Sequence, residues 1–209
     1  MKKYVIPVIR ILFLALFIFL VTNGKMMLWL GLFALSLVVA VLFGRVYCGY
    51  VCPMNTVMIT TEWLSKKFKW QTDKTPKWLQ SGKFAWVALV VSIAVMIFAQ
   101  RVLKKNIPVL LIWLVVSVLV TLRYKPAVFH NLICMFGPLQ KIFGKFAKFS
   151  ERVDKPNCIG CKKCEKVCPS AAIAVKKDKK AEIETSLCFQ CTNCQQVCPT
   201  DCIQYTKEF

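Results

Sequence analysis

The chain reads Cys158-Ile159-Gly160-Cys161-Lys162-Lys163-Cys164-Glu165-Lys166-Val167-Cys168-Pro169, and thirty residues on it reads Cys188-Phe189-Gln190-Cys191-Thr192-Asn193-Cys194-Gln195-Gln196-Val197-Cys198-Pro199. Three thiolates at this spacing wrap one face of a [4Fe-4S] cube, and the fourth, before proline, ligates the other cube. The spacing assigns Cys158, Cys161, Cys164 and Cys198 to a first cluster and Cys188, Cys191, Cys194 and Cys168 to a second. Zinc also favours paired Cys-x-x-Cys, but it closes a four-ligand tetrahedron and gives no reason for a third Cys and a Cys-Pro in both copies.

Laid over each other, the copies pair Val167 with Val197, Pro169 with Pro199 and Ile173 with Ile203. Each half is expected to form a short strand-helix-strand unit. Cys202 falls on Ala172, a position that needs no ligand, so it is read as a small buried apolar residue. Ile159, Ile173, Val175, Ile183, Phe189 and Ile203 are the residues expected to wrap the cubes. A unit this small builds little core of its own, which makes the clusters its main folding determinant.

Outward from this module the solvent changes. Of 209 residues, 57% are apolar, against roughly 45 to 50% in soluble domains. The long apolar runs are Val5 to Val21, Met26 to Phe43, Phe84 to Ala99 and Ile107 to Leu122, and we read them as four transmembrane helices. The first follows Met1-Lys2-Lys3, as a secretory signal would, but Thr22-Asn23-Gly24-Lys25 offers no small-x-small cleavage site and a second run follows at once, so it is read as a helix. Arg10 within it is read as snorkelling. The last two runs are short against the usual ~20 residues and rely on flanking Lys83, Arg101, Lys104 and Lys105.

The formal charge of +19 lies beside these runs, where Lys and Arg hold loops on the cytoplasmic side and meet anionic lipid, so membrane lipid is the expected partner and nucleic acid is not. Arg45, Lys66, Lys67, Lys69, Lys74, Lys77 and Lys83 outnumber Glu62 and Asp73 in the loop from Gly44 to Lys83, which places that loop and both termini in the cytoplasm; Arg101, Lys104 and Lys105 dissent. Thiols reserved for metal suit the same reducing side. Beyond the spans, Lys141, Lys145, Lys148 and Arg152 recur at helical spacing beside Ile142, Phe146, Phe149 and Val153, predicting an interfacial amphipathic helix. The organisation expected is a membrane domain over residues 1–140, an amphipathic linker over 141–153 and a small α+β bacterial-type two-cluster ferredoxin domain over 154–209.

A second cysteine constellation follows the second run: Gly44-Arg45-Val46-Tyr47-Cys48-Gly49-Tyr50-Val51-Cys52-Pro53-Met54-Asn55. Soon after the fourth run comes Ala127-Val128-Phe129-His130-Asn131-Leu132-Ile133-Cys134-Met135-Phe136-Gly137-Pro138, and an offset of 82 pairs Tyr47 with Phe129, Cys48 with His130 and Cys52 with Cys134. The membrane part thus reads as two pseudo-symmetric pairs of helices, each closed by a metal-type motif. Helical spacing of four puts both members of a pair on one face, so Cys48, Cys52, Cys134 and His130 are candidate ligands of a third redox centre at the membrane surface. Histidine replaces cysteine on iron in Rieske centres. The plainer alternative is that these cysteines are small hydrophobes and His130 a satisfied polar residue at a helix end; a thiol pair or transient copper binding is a third.

Gly44-Arg45-Val46-Tyr47-Cys48 through Val51-Cys52-Pro53-Met54-Asn55, the Trp63-Leu64 that follows, four apolar runs and the double cysteine run together resemble the NapH-type membrane polyferredoxins, integral quinol-dehydrogenase subunits that serve periplasmic nitrate reductases. The resemblance covers nearly the whole chain. It implies a multi-pass protein of the prokaryotic cytoplasmic membrane, cytoplasmic clusters, electron transfer between a quinone pool and partner redox subunits, and a role for both Cys-x-x-x-Cys-Pro motifs. The second motif departs from that pattern, with His130 at the first Cys position and Met135 at the Pro position.

No nucleophile-base pair or phosphate loop is present, so the expected role is a non-catalytic electron-transfer subunit of an oxidoreductase complex, relaying electrons between ferredoxin clusters and quinone or a partner subunit. The alternative is an accessory, assembly or redox-sensing protein, for example one reducing a metal while an oxidase or reductase matures. Trp29, Trp86 and Trp113 do not locate a quinone site, because interfacial aromatics are common in any membrane protein.

Overall fold

A computed structural model describes residues 2–72, 75–102, 104 and 108–207. The sequence readings on Asp73, Lys74, Lys105 and Ile107 lie outside the described residues. The chain divides into two compact units, residues 1–34 with 50–138 and residues 35–49 with 139–209.

In the first unit, α1 (Lys2–Thr22) is apolar on nearly all sides, with Val8, Ile11, Leu12 and Phe19 more than half exposed. A helix without a polar face suits lipid. Asn23 Nδ2 donates to Phe19 O at 2.7 Å, satisfying an end carbonyl, and Gly24 at φ 70° turns the chain into α2 (Met26–Phe43). The Phe17 ring meets Trp29 edge-on, and both are fully buried, so Trp29 is a packing residue.

Cys52, in extended conformation, is followed by Pro53 at the first position of α3 (Pro53–Lys67), where proline's missing N–H costs nothing. Lys66 and Lys67 lie in its last turn, matching the negative end of the helix dipole. α4 (Lys83–Arg101) is the third helix long and apolar enough to cross a membrane, after α1 and α2. α5 (Val109–Arg123) has 15 residues and is shorter than that. α3 packs along α5, and Ser65 Oγ donates to Leu122 O at 2.7 Å. Trp113 Nε1 donates to Ser92 Oγ at 2.9 Å, joining α5 to α4 through a polar contact of the kind apolar helices use where water is absent. The short α6 (Pro126–Val128) leads into the second metal-type motif.

The second unit combines the end of α2 with α7 (Gly137–Gly144) and the cysteine module. The amphipathic helix expected through Val153 is corrected here: helix stops at Gly144, and Ser150–Val153 is strand β1. β1 pairs antiparallel with β4 (Ile203–Thr206), a partner that a helical pattern read from the local sequence does not reveal, and Gly144 ends the helix before it. β2 (Ile173–Val175) pairs antiparallel with β3 (Ala181–Ile183). With α8 (Lys163–Val167) and α9 (Asn193–Gln196), each half is strand-helix-strand and the two hairpin-like sheets join the halves. Ile173, Ala181, Ile203 and three cysteines form the core, flanked by Val153, Val175 and Ile183. The end of α2 is tied to this module: Phe149 N–H donates to Leu42 O at 2.8 Å, Tyr205 Oη to Phe43 O at 3.1 Å, and Phe149 stacks between the Phe43 and Tyr205 rings.

Candidate iron-sulfur and metal-ligand sites

Two cavities flank the core of the module, each enclosing about 320 Å³ of space, open solvent at the mouth included. The first is lined by Cys158, Cys161, Cys164 and Cys198, with Cys202 beside them. The second is lined by Cys168, Cys188, Cys191 and Cys194. These are the two sets of four that the sequence spacing assigned, including the exchange of the fourth cysteine between halves. A chelate of four soft sulfurs around a pocket of this size fits a [4Fe-4S] cube. Among the described residues no three His, Cys, Asp or Glu side chains converge on a single ion, either at these cavities or at the motifs of Cys48, Cys52, His130 and Cys134.

Backbone donors are aimed at the sulfurs. Ala181 N–H reaches Cys158 Sγ at 3.4 Å, and Ala172 N–H reaches Cys168 Sγ at 3.2 Å. The Cys198 and Cys202 sulfurs are 3.5 Å apart. Burial pushes the Cys164, Cys188 and Cys194 thiols up, and for Cys194 the nearby Glu151 carboxylate adds to it. Burial also raises Cys198, but hydrogen bonds from Thr200 and Cys202 outweigh it and its thiol is lowered. Cys202 is pushed up to about 11, first by burial. A buried thiol held protonated is inert until a metal takes the proton's place. Cys202 is buried, as its overlay on Ala172 implies, yet it also lines the first cavity.

The other motif pairs occupy matching backbone turns. Tyr47–Val51 and Phe129–Ile133, related by the offset of 82, are both π-helical turns, and each ends at a cysteine with nearly the same backbone angles, Cys52 at φ −65°, ψ 118° and Cys134 at φ −58°, ψ 123°. The expected α-helical spacing is thus replaced by the wider π turn, a form frequent at functional sites. Within the first unit, Cys52, His130 and Cys134 are all buried, and His130 Nε2 lies 3.3 Å from Asn55 Oδ1. Cys48 belongs to the second unit and is also buried.

In that second unit Arg45 is 1% exposed; its guanidinium donates to Ser186 O at 3.4 Å, lies 3.7 Å from Cys48 Sγ, and stacks 4.9 Å from the centroid of Phe189, a wall of the second cavity. Gly44, at φ 73°, and Gly49 abut Gln190 and the Phe189 carbonyl so closely that a Cβ at either overlaps them. The sequence reading missed two other residues at this cavity. Glu151 lines it, and Gln190 Oε1 accepts from the Glu151 N–H at 2.9 Å while Gln190 Nε2 donates to Ser150 Oγ at 2.9 Å. Extending the thirty-residue overlay backward from Cys158 would have found Glu151, since it falls on Ala181 of the first cavity.

Two family models match the chain. A 4Fe-4S binding domain matches residues 25–71 and again 106–154, so each match holds one of the metal-type motifs, and a 4Fe-4S dicluster domain matches residues 151–205. An uncharacterized protein of Methanocaldococcus jannaschii is 30% identical over 136 residues, 65% of this chain and 55% of that protein. The ferredoxin-type protein NapH of Haemophilus influenzae is 28% identical over 159 residues, 69% of this chain and 54% of the relative. The methylamine utilization ferredoxin-type protein MauN of Paracoccus denitrificans is 30% identical over 146 residues, 63% and 50% respectively. The chain spans about half the length of these curated relatives. No solved structure matches it. Cysteine-lined cavities and these matches mark an iron-sulfur protein of the ferredoxin type that also carries apolar helices of membrane-crossing length. Within that class, the chain is similar to the ferredoxin-type proteins NapH and MauN.

Proposed function

We propose that the chain is the relay of a membrane oxidoreductase complex, carrying single electrons between two [4Fe-4S] clusters and quinone or a partner membrane subunit. Cys158, Cys161, Cys164 and Cys198 hold the first cube; Cys188, Cys191, Cys194 and Cys168 hold the second. The observation that carries the reading is the pair of four-cysteine cavities, together with the seating of residues 44–49 on Phe189 and Gln190 at the second one. That contact brings Cys48 close to a cluster site through Arg45.

On this reading the chain has four spans, including α5, with both termini in the cytoplasm of a prokaryotic cell, and a third redox centre uses Cys48, Cys52, Cys134 and His130 at the membrane surface. The Asn55 contact supports the histidine's competing role as a satisfied polar residue, and so makes His130 the weakest of the four ligands. The test is reoxidation of the reduced full-length protein in liposomes. Quinone should reoxidise the wild type rapidly and Cys48→Ala and Cys52→Ala slowly, with a water-soluble oxidant acting equally on all three. Equal quinone rates in all three would overturn the relay.

A further inference from the structure

The two cavities are built on one thirty-residue pattern, so a difference at matched positions acts on one cube and not the other. Ala181 lines the first cavity, and its counterpart Glu151, 1% exposed, lines the second. Lys162 and Lys163 line the first, where the second has Thr192 and Asn193. The Ala181 N–H points at Cys158 Sγ, whereas the matching Glu151 N–H is taken by Gln190 Oε1. Cys161 is exposed, whereas Cys191 is 8% exposed.

Gln190 makes the third difference. It holds φ 55° where the first half has Gly160 at φ 68°, so a side chain has been accepted in the left-handed region that favours glycine. The side chain placed there bonds Ser150 and Glu151.

Reduction adds a negative charge to a cube. Cations, N–H donors to sulfur and water therefore favour it, and a carboxylate in a dry wall opposes it. The carboxylate, the lysines and the N–H donor act in the same direction; exposure is divided, since Cys161 is more exposed than Cys191 but Cys164 is more buried than Cys194. Arg45 opposes them, but its guanidinium lies against the Phe189 ring and is not among the cavity's lining groups, whereas Glu151 is. We propose that Glu151 on one side, and Lys162 with Lys163 on the other, make the second cavity the low-potential site and the first the high-potential site of the pair. This rests on the two-cluster reading above. One electron then passes from second cube to first, the second being oxidised and the first reduced with no proton or co-reactant, so the gradient runs from the Cys48 side of the module toward the exposed Lys162–Lys163 surface.

Redox titration of the full-length, anaerobically purified protein, followed by EPR at fixed pH, tests the order. The wild type should show two one-electron steps separated by tenfold or more in reduction equilibrium, about 59 mV for one electron. Glu151→Gln, nearly isosteric, should move the lower step up by tenfold or more and move the upper step less. Lys162→Thr with Lys163→Asn should move the upper step down; Thr is compatible with φ 60° at Lys162, because Thr192 already holds φ 59°. Two cubes whose lower step ignores Glu151→Gln, or whose upper step ignores the lysine changes, would overturn the inference alone. A single cube by iron analysis would overturn the two-cluster reading and the inference with it.

Discussion

Gly49→Ala tests whether the segment from Gly44 to Gly49 is seated on the second cluster site. A Cβ at Gly49 meets the Phe189 carbonyl oxygen at less than any real contact distance, and that obstacle is backbone, which cannot swing aside as a side-chain tip does. Forcing a methyl into such a contact costs about 1–3 kcal/mol. At 1.4 kcal/mol per tenfold, the seated state is weakened by roughly fivefold to a hundredfold or more. Hydrogen exchange on the full-length protein in detergent reads this as lost protection by that factor in peptides spanning residues 44–49 and 186–191. Gly31→Ala is the control: a Cβ there meets nothing within 4 Å, and inside α2 it should be neutral or stabilise by up to about 1 kcal/mol. Unchanged exchange at both peptides in Gly49→Ala would refute the seating and remove the structural reason for placing Cys48 beside the second cluster.

Cys202→Ala should leave both cluster EPR signals intact, since the matching residue after the first cysteine run is Ala172; loss of the first signal would make Cys202 a ligand. Replacing Cys48 and Cys52 together by Ala should lower the iron content of the anaerobically prepared protein below wild type, and an unchanged content would end the case for a third centre. Reporters fused after Phe209 and within residues 71–77 should both report cytoplasm, and an opposite signal from either would overturn the topology.

The two four-cysteine sets that line the cavities were legible because a cube dictates the spacing of sulfurs around it, so that chemistry reaches the sequence without passing through tertiary structure. The strand at Ser150–Val153 was not. Its Lys and Arg spacing continues that of α7, and only pairing with Ile203–Thr206, some fifty residues away, decides against helix. Glu151 escaped for a related reason: its meaning lies in the comparison with Ala181, which depends on strands outside the cysteine run. The membrane half was legible as apolar runs, but the turns at Tyr47–Val51 and Phe129–Ile133 are π-helical, and spacing of four residues does not distinguish these from α-helix. His130 drew attention by its overlay on Cys48, while Asn55, its polar neighbour, lies 75 residues earlier in the chain.

The central claim is that each cube draws three cysteines from one half and one from the other. Cys198→Ser tests it most directly, because Cys198 follows Cys188, Cys191 and Cys194 in sequence yet lines the cavity of Cys158, Cys161 and Cys164. EPR of the reduced variant, with iron and sulfide analysis, should show the first cluster altered or lost and the second unchanged. Loss of the cluster held by Cys188, Cys191 and Cys194, with the first intact, would contradict the account.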